Sequence, residues 1–425
     1  MAATPSETAS AAVPLITNDA VVLGILMAIL GFVFWSSHSD RPGFRKFYTY
    51  VPSLLLCYFI PSLFSTFGII SGDVSNLYFV ASRYLLPTSL VLLTLSIDFK
   101  GILGLGPKAI IMFFTGTLGI MIGGPAALLI VSWIDPSMVG GAGPDAVWRG
   151  MTTVAGSWIG GGANQTAMKE VFQVGDDMFS AMVAVDVIVA NVWMAFLLYA
   201  AGRSDAIDAR IGADNSAIDS LRKKVEAYQL QIGRIPKLAD TMLVLAVGFG
   251  ATAVGHLGAD LIAPAIAAGA PELARFSLTS KFFWLVVIAT TLGMVLALTP
   301  ARQLEGVGAS RLGSAMLYVL VASIGMKMNI RAIFESPELF LLGGIWMLVH
   351  VTLLLSVAKA IKAPTFFVAV GSQANVGGAA SAPIVASAFH PALATVGVLL
   401  AVLGYAVGTY AAWVCGLIMQ AVAGG

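Results

Sequence analysis

The sequence predicts an all-α polytopic membrane protein with about ten transmembrane helices in two inverted five-helix repeats. Each repeat carries a discontinuous or re-entrant Gly-rich hairpin. Three observations predict it. First, 58% of the 425 residues are hydrophobic and only 11% are charged, less than half the roughly 25% typical of soluble domains. Too few charges remain to coat a water-facing surface. Second, the apolar residues fall in long runs rich in Ala, Gly and Leu, which favours helices over a barrel. Third, the two halves of the chain repeat the same marks in the same order.

Lys+Arg is 23 and Asp+Glu is 22, so no basic excess points to nucleic acid. Cys57 and Cys415 sit in apolar runs without CxxC spacing, and the four histidines form no HExxH-type pattern. Neither a metal cofactor nor a redox pair is indicated, and no cofactor is expected.

A spanning helix needs about 20 mostly apolar residues. Such runs fall at about 19–35, 47–70, 78–97, 108–134, 178–201, 238–257, 281–300, 309–328, 338–358 and 392–421. Residues 1–18 contain no Lys or Arg, unlike the basic start of a signal peptide, and are expected to be an extracytoplasmic tail. Arg41, Arg45 and Lys46 follow the first span. The positive-inside rule therefore puts the N-terminus outside and residues 36–46 in the cytoplasm.

The same rule bears on the stretch 148–172, which is only moderately apolar. The segment 203–237 holds Arg203, Arg210, Arg222, Lys223, Lys224, Arg234 and Lys237, and is expected to be a cytoplasmic linker. If 148–172 crossed fully, the next span would deliver this linker to the wrong face. If it enters and returns, the linker falls inside. Ile218, Leu221, Val225 and Tyr228 recur at helical spacing after Asn215-Ser216, which predicts a short amphipathic helix within the linker.

Five spans and a hairpin precede the linker (19–202), and five spans and a hairpin follow it (238–425). Ala81-Ser82-Arg83 matches Ala309-Ser310-Arg311, an offset of 309 − 81 = 228, and Gly156-Ser157 matches Gly371-Ser372, an offset of 371 − 156 = 215. An odd number of crossings per half turns the second half upside down in the membrane. Inverted repeats around a midplane site are a signature of secondary transporters.

The two broken stretches, 148–172 and 364–389, contain Gly156-Ser157-Trp158-Ile159-Gly160-Gly161-Gly162-Ala163-Asn164-Gln165-Thr166 and Gly371-Ser372-Gln373-Ala374-Asn375-Val376-Gly377-Gly378-Ala379-Ala380-Ser381-Ala382-Pro383. Glycine costs a helix about 1 kcal/mol per residue against Ala, so this density predicts a break. The freed backbone groups cannot face lipid. Asn164 is expected to cap a helix starting at Gln165, and Ser381 a helix with Pro383 in its first turn. Substrate contacts are expected from Asn164, Gln165, Thr166, Ser372, Gln373, Asn375 and Ser381, because helix N-termini and amides suit a small polar solute. Packing through small residues accounts for the glycines but poorly for the buried amides.

The pair GSWIGGGANQTAMKE and GSQANVGGAASAP resembles the paired motifs of the YjcL-like family of integral membrane proteins, from about residue 20 to 420. More distantly, the chain is similar to sodium/glutamate symporters of the GltS type. The resemblance implies outward termini, a cytoplasmic central loop and ion-coupled uptake.

Ionisable residues within spans are functional candidates. Asp186 follows the first hairpin and is expected to hold Na⁺, the expected coupling ion, together with Ser157 and Asn164, or to carry a proton; a structural pair with Arg83 or Arg311 is the other reading. Arg83 is a candidate for a solute carboxylate, and His350 lies mid-span. The sequence thus predicts a sodium-coupled symporter for an amino acid, carboxylate or short peptide in the bacterial inner membrane. A sodium/proton antiporter or proton-coupled symporter is the alternative. No hydrolase or cofactor fingerprint favours an enzyme. The expected partners are the lipid bilayer, a small-molecule solute and a second copy of the chain as a homodimer.

Overall fold

The computed structural model describes residues 14–51, 53–136, 139, 141–213, 218, 236–328, 336–390 and 393–424. All regular structure among them is helical: α1 (Asp19–Ser37), α2 (Pro42–Tyr50), α3 (Ser53–Thr66), α4 (Leu77–Leu95), α5 (Phe99–Leu103), α6 (Pro107–Ile134), α7 (Val147–Val171), α8 (Asp176–Ala201), α9 (Ser204–Ile211), α10 (Leu238–Gly269), α11 (Lys281–Ala297), α12 (Ala309–Gly325), α13 (Glu338–Ile361), α14 (Thr365–Val376), α15 (Gly378–Phe389) and α16 (Ala394–Val422). Short 3₁₀ helices cover Pro271–Phe276 and Pro300–Val307.

Seven helices among the described residues are long and apolar enough to cross a membrane, and up to nine spans result if each of two bent pairs counts as one. This makes the chain a multi-pass membrane protein, with fewer clear spans than the ten the hydropathy suggests. The run at 47–70 divides into α2 and α3. The run at 281–300 ends at Ala297, and the chain turns by 95° into the following 3₁₀ helix. Thr299 is extended there (φ −109°, ψ 173°), as a residue before proline tends to be. The run at 309–328 yields 17 helical residues, about 26 Å of helix against a hydrocarbon core of about 30 Å.

The chain divides into two compact units, Met1–Ala81 with Tyr318–Ile330, and Ser82–Leu317 with Arg331–Gly425. In the first, Asn18 accepts from the Ala20 and Val21 N–H groups and starts α1. Asp19 accepts from the Ser75 hydroxyl at 2.7 Å, Phe34 meets Tyr318 edge-on at 4.7 Å, and Lys327 pairs with Asp73 at 3.7 Å.

In the second unit, small and hydroxylated residues tie the helices, as apolar contact alone cannot in lipid. Thr88 and Thr252 share a hydrogen bond at 2.8 Å, and Ser89 donates to the Gly313 carbonyl at 2.9 Å. Leu92, Leu95, Val244, Leu304 and Val307 pack beside them. Leu257 and Leu261 on α10 remain exposed, as lipid-facing positions should.

Both glycine-rich stretches fold back on themselves. Helix α7 breaks at Gly161, with φ 72° and ψ −176°, a conformation that favours glycine. Arg149, near its start, donates to the carbonyl of Phe172, just past its end. A straight helix would separate them by about 35 Å. We term this segment hairpin 1. The second break falls between α14 and α15, where Gly378 has φ 56°. Phe366 and Phe389 stack edge-on at 5.3 Å across the base, and Gln373 donates to Ser381, eight residues on, at 2.6 Å. We term α14 and α15 hairpin 2.

The hairpins enter from opposite ends of α8. Hairpin 1 closes next to its N-terminus, where Lys169 pairs with Asp176 at 2.6 Å. Hairpin 2 starts at Thr365, whose N–H and hydroxyl donate to Asp208 at 2.8 and 2.6 Å. Asp208 sits in α9, directly after the other end of α8. The 26 residues of α8 span about 39 Å. The tips meet: a methyl placed on Gly378 would lie 3.8 Å from Gly161 Cα.

The amphipathic helix expected near 218–228, with its Asn215-Ser216 cap, falls almost wholly outside the described residues. So do residues 1–13 of the N-terminal tail.

Candidate functional site

The glycine breaks set the geometry. Gly156 allows hairpin 1 to close, since a methyl there would stand 2.6 Å from the Asn164 carbonyl. Closure brings Ser157, on the first arm, and Gln165, on the second, to the same carboxylate. Ser157 Oγ donates to Asp186 Oδ2 at 2.7 Å, and Gln165 Nε2 donates to the same oxygen at 2.9 Å. Asp186 is buried. The Trp158 indole N–H is turned towards this carboxylate but falls short of hydrogen-bonding geometry and has no other partner. Among the described residues Asp186 makes no ion pair. It is a buried carboxylate held by neutral donors, with Oδ1 the less committed oxygen.

The two conspicuous asparagines do something else. Asn164 donates to Gly160 O at 3.0 Å and Tyr405 O at 3.1 Å, and accepts from Thr409 Oγ1 at 2.6 Å. Asn375 donates to Gly371 O and Phe113 O, both at 2.9 Å, and accepts from Thr117 Oγ1 at 2.7 Å. The pattern is the same in both. Each amide takes the carbonyl four residues back in its own hairpin, then a threonine on a long helix and the carbonyl four residues before that threonine. Asn164 clasps hairpin 1 to α16, and Asn375 clasps hairpin 2 to α6.

These contacts correct several expectations. Asn164 does not cap a helix at Gln165, because the chain breaks earlier, at Gly161, where positive φ is allowed. Ser381 does not cap α15, because that helix already begins at Gly378, which leaves Pro383 inside it. Asn164 and Asn375 are not free ligands; all three of their principal hydrogen-bonding groups are used. Thr166 bonds back to Gly162 O at 3.0 Å within its own arm. Ser372 accepts from Trp193 Nε1 at 2.8 Å and lies 2.8 Å from His350 Nε2. The other ring nitrogen of His350 faces the Gly116 carbonyl at 3.1 Å. A carbonyl only accepts, so Nδ1 carries a proton. Arg83 stands apart from the tips. It pairs with Glu170 at 2.9 Å and lies over the Phe282 ring at 4.4 Å.

Gln373 differs from these. Its Nε2 reaches Ser381, but its buried Oε1 has no partner. Close by, Tyr405 and Ala379 form part of the wall of a cavity of about 840 Å³. The cavity also touches Asp98, Lys100, Arg302 and Glu305. Phe99 and Lys100 lie in α5, and the helix after it, α6, meets the base of hairpin 2 at its N-terminal end, where Lys108 Nζ donates to the Lys362 carbonyl at 2.9 Å. The cavity therefore leads from that end of the bundle to the hairpin 2 tip.

With the site assembled, its relatives can be placed. The profile of a family described as protein of unknown function, DUF819, matches residues 24–422. The chain belongs to the DUF819 family. No curated protein matches it. The matched span includes both hairpins, α8 and the helices that clasp them, so the whole site is DUF819 structure rather than an appendage to it.

Sequence reasoning missed Trp158 as a neighbour of Asp186, the threonines of the clasps, Tyr405, Asp208 and the partnership of Arg83 with Glu170. Thr117 and Thr409 carry a weak signal, as hydroxyls within runs of otherwise apolar residues. Among the described residues no cluster of three His, Cys, Asp or Glu could hold a metal ion.

Proposed function

We propose that this DUF819 protein is a secondary active transporter that couples sodium to symport of a small organic solute. The observation that carries the reading is the meeting of two glycine-broken hairpins, entered from opposite ends of α8, beside a buried carboxylate with no ion pair among the described residues. Non-helical backbone at membrane depth is tolerated where it lines a cavity or is enclosed by protein. Discontinuous helices that present their ends to a midplane site are how many transporters bind ions and solutes. Two inverted halves of five spans, with both termini outside a bacterial inner membrane, fit the charge pattern and the hairpin entry points. The likeness to YjcL-like proteins, and more distantly to GltS-type symporters, favours the same reading.

In this mechanism Na⁺ binds at Asp186 Oδ1, next to Ser157. The hydroxyl of Ser157 turns a lone pair to the ion, and the Gln165 amide rotates to offer its oxygen. The cation replaces neutral donors as the partner of the carboxylate and offsets the several kcal/mol that burying an isolated charge costs. Closure of the hairpin 2 cavity then follows ion and solute binding, which prevents leak of either alone.

Uptake by proteoliposomes tests this. A metabolite pool is offered under a sodium gradient, then under a pH gradient, and the lumen is assayed by mass spectrometry. Sodium-driven accumulation of a solute supports the reading. Accumulation driven by pH alone would replace sodium with a proton on Asp186, and Na⁺ efflux driven by a pH gradient without solute would make the protein an antiporter.

A further inference from the structure

We infer that Trp193 is a positioning residue that makes hairpin 2 respond to the cation site beside hairpin 1. The inference rests on the transport reading above and adds the contact that links the ion to the second hairpin. Helix α8 holds both hairpins through side chains on one face. Asp186 accepts from Ser157 and Gln165 of hairpin 1 at 2.7 and 2.9 Å. Trp193, seven residues on, donates from Nε1 to Ser372 of hairpin 2 at 2.8 Å. Two helical turns return residue i+7 to nearly the direction of residue i, about 10 Å further along the axis. The two serines belong to the matched pairs Gly156-Ser157 and Gly371-Ser372. One helix thus grips the same element of each hairpin.

The other contacts of Ser372 decide what a shift of α8 does. His350 Nε2 lies 2.8 Å from the same hydroxyl, and His350 Nδ1 donates to the Gly116 carbonyl of α6 at 3.1 Å. Helix α6 also clasps hairpin 2 through Thr117 and Asn375 at 2.7 Å. Ser372 therefore stands between a partner tied to α6 and a partner that travels with α8. When Na⁺ takes Asp186 Oδ1, Ser157 and Gln165 turn to the ion and α8 resettles against hairpin 1. The Trp193 indole only donates, so it cannot exchange roles with the Ser372 hydroxyl as α8 moves. It carries Ser372 with it or lets it go. Either way its bond differs between the sodium-free and sodium-bound states, which is the differential contact that coupling requires.

Hydrogen exchange and ²²Na⁺ binding, measured together on the purified full-length protein in detergent, test this. Exchange at residues 376–381, the hairpin 2 tip, is compared in Na⁺ and in K⁺ at equal ionic strength. In the wild type Na⁺ should slow it about threefold or more, the ratio that one polar bond within a membrane protein supports. Trp193→Phe keeps the ring and removes the N–H, and Ser372→Ala removes the acceptor. Both should bind ²²Na⁺ as the wild type does and lose the exchange response. Trp284→Phe loses an indole bond of the same length, to the Leu278 carbonyl at 2.8 Å, and should keep binding and response alike. A response of wild-type size in Trp193→Phe or in Ser372→Ala overturns the proposal. So does sodium binding without any response in the wild type, or a loss of sodium binding in Trp193→Phe that matches its loss of response. If the wild type binds no ²²Na⁺, the sodium reading itself falls and takes this proposal with it.

Discussion

Each asparagine clasp should behave as an energetically coupled pair. The perturbations are Thr409→Val and Asn164→Ala, singly and together, with the same cycle for Thr117 and Asn375. Thr409→Val removes the donor to Asn164 Oδ1, a bond of 2.6 Å between fully enclosed groups. An orphaned buried acceptor costs about 1–3 kcal/mol, but polar pairs within membrane proteins average about 0.6 kcal/mol, with a maximum near 1.7. The short distance and complete burial argue for the upper part of the latter range, so a coupling of about 1–1.5 kcal/mol is expected in each cycle. Pairing Thr409→Val with Asn375→Ala crosses from one clasp to the other, and should give additive effects within about 0.5 kcal/mol. Unfolding in mixed micelles titrated with SDS, followed by tryptophan fluorescence, supplies the free energies. If within-clasp coupling is no larger than coupling across clasps, the asparagines do not anchor the hairpins and the corrected role is wrong.

Other variants probe the remaining geometry. Gly161→Ala and Gly378→Ala, at φ 72° and 56°, should each lose about 1–2 kcal/mol in the same titration, whereas Gly162→Ala, with open space around it, should lose little. Gly408→Ala would place a methyl 2.5 Å from Gly160 Cα; it should lower the melting temperature clearly, because backbone packed on backbone cannot yield locally. Asp208→Ala removes both acceptor contacts at the base of hairpin 2 and should cost about 1–2 kcal/mol, as loss of a helix cap does; hydrogen exchange should rise at residues 365–368. Asp186→Asn removes a buried charge that has no ionic partner among the described residues, so in sodium-free buffer its melting temperature should equal or exceed that of the wild type.

Much of the fold was legible because lipid imposes a simple code. Long apolar runs had to be helices, and dense glycine within them had to be a break. That Asp186 would lie beside hairpin 1 was legible too, since an acid in an apolar run must find buried donors. The precise site was not. Asn164 and Gln165 are adjacent and chemically alike, yet one locks helices together and the other reaches the carboxylate. Their directions depend on where the break falls, and the run from Gly160 to Gly162 offers several places. Thr409 lies 245 residues from Asn164 in sequence, and no periodicity links them. Hydropathy marks ten runs where seven helices, or nine spans with each bent pair as one, are clear among the described residues, because it registers an apolar run without sensing a Pro300 turn or a helix of 17 residues.

Sodium binding to Asp186 is the claim on which the coupling mechanism stands, and it can be measured before any solute is known. Purified protein is titrated with ²²Na⁺ in a scintillation proximity assay, alongside Asp186→Asn and, as a surface control, Asp177→Asn. The account predicts saturable binding in the wild type and in Asp177→Asn, and its loss in Asp186→Asn. Saturable binding that survives in Asp186→Asn, or none in the wild type, would contradict it.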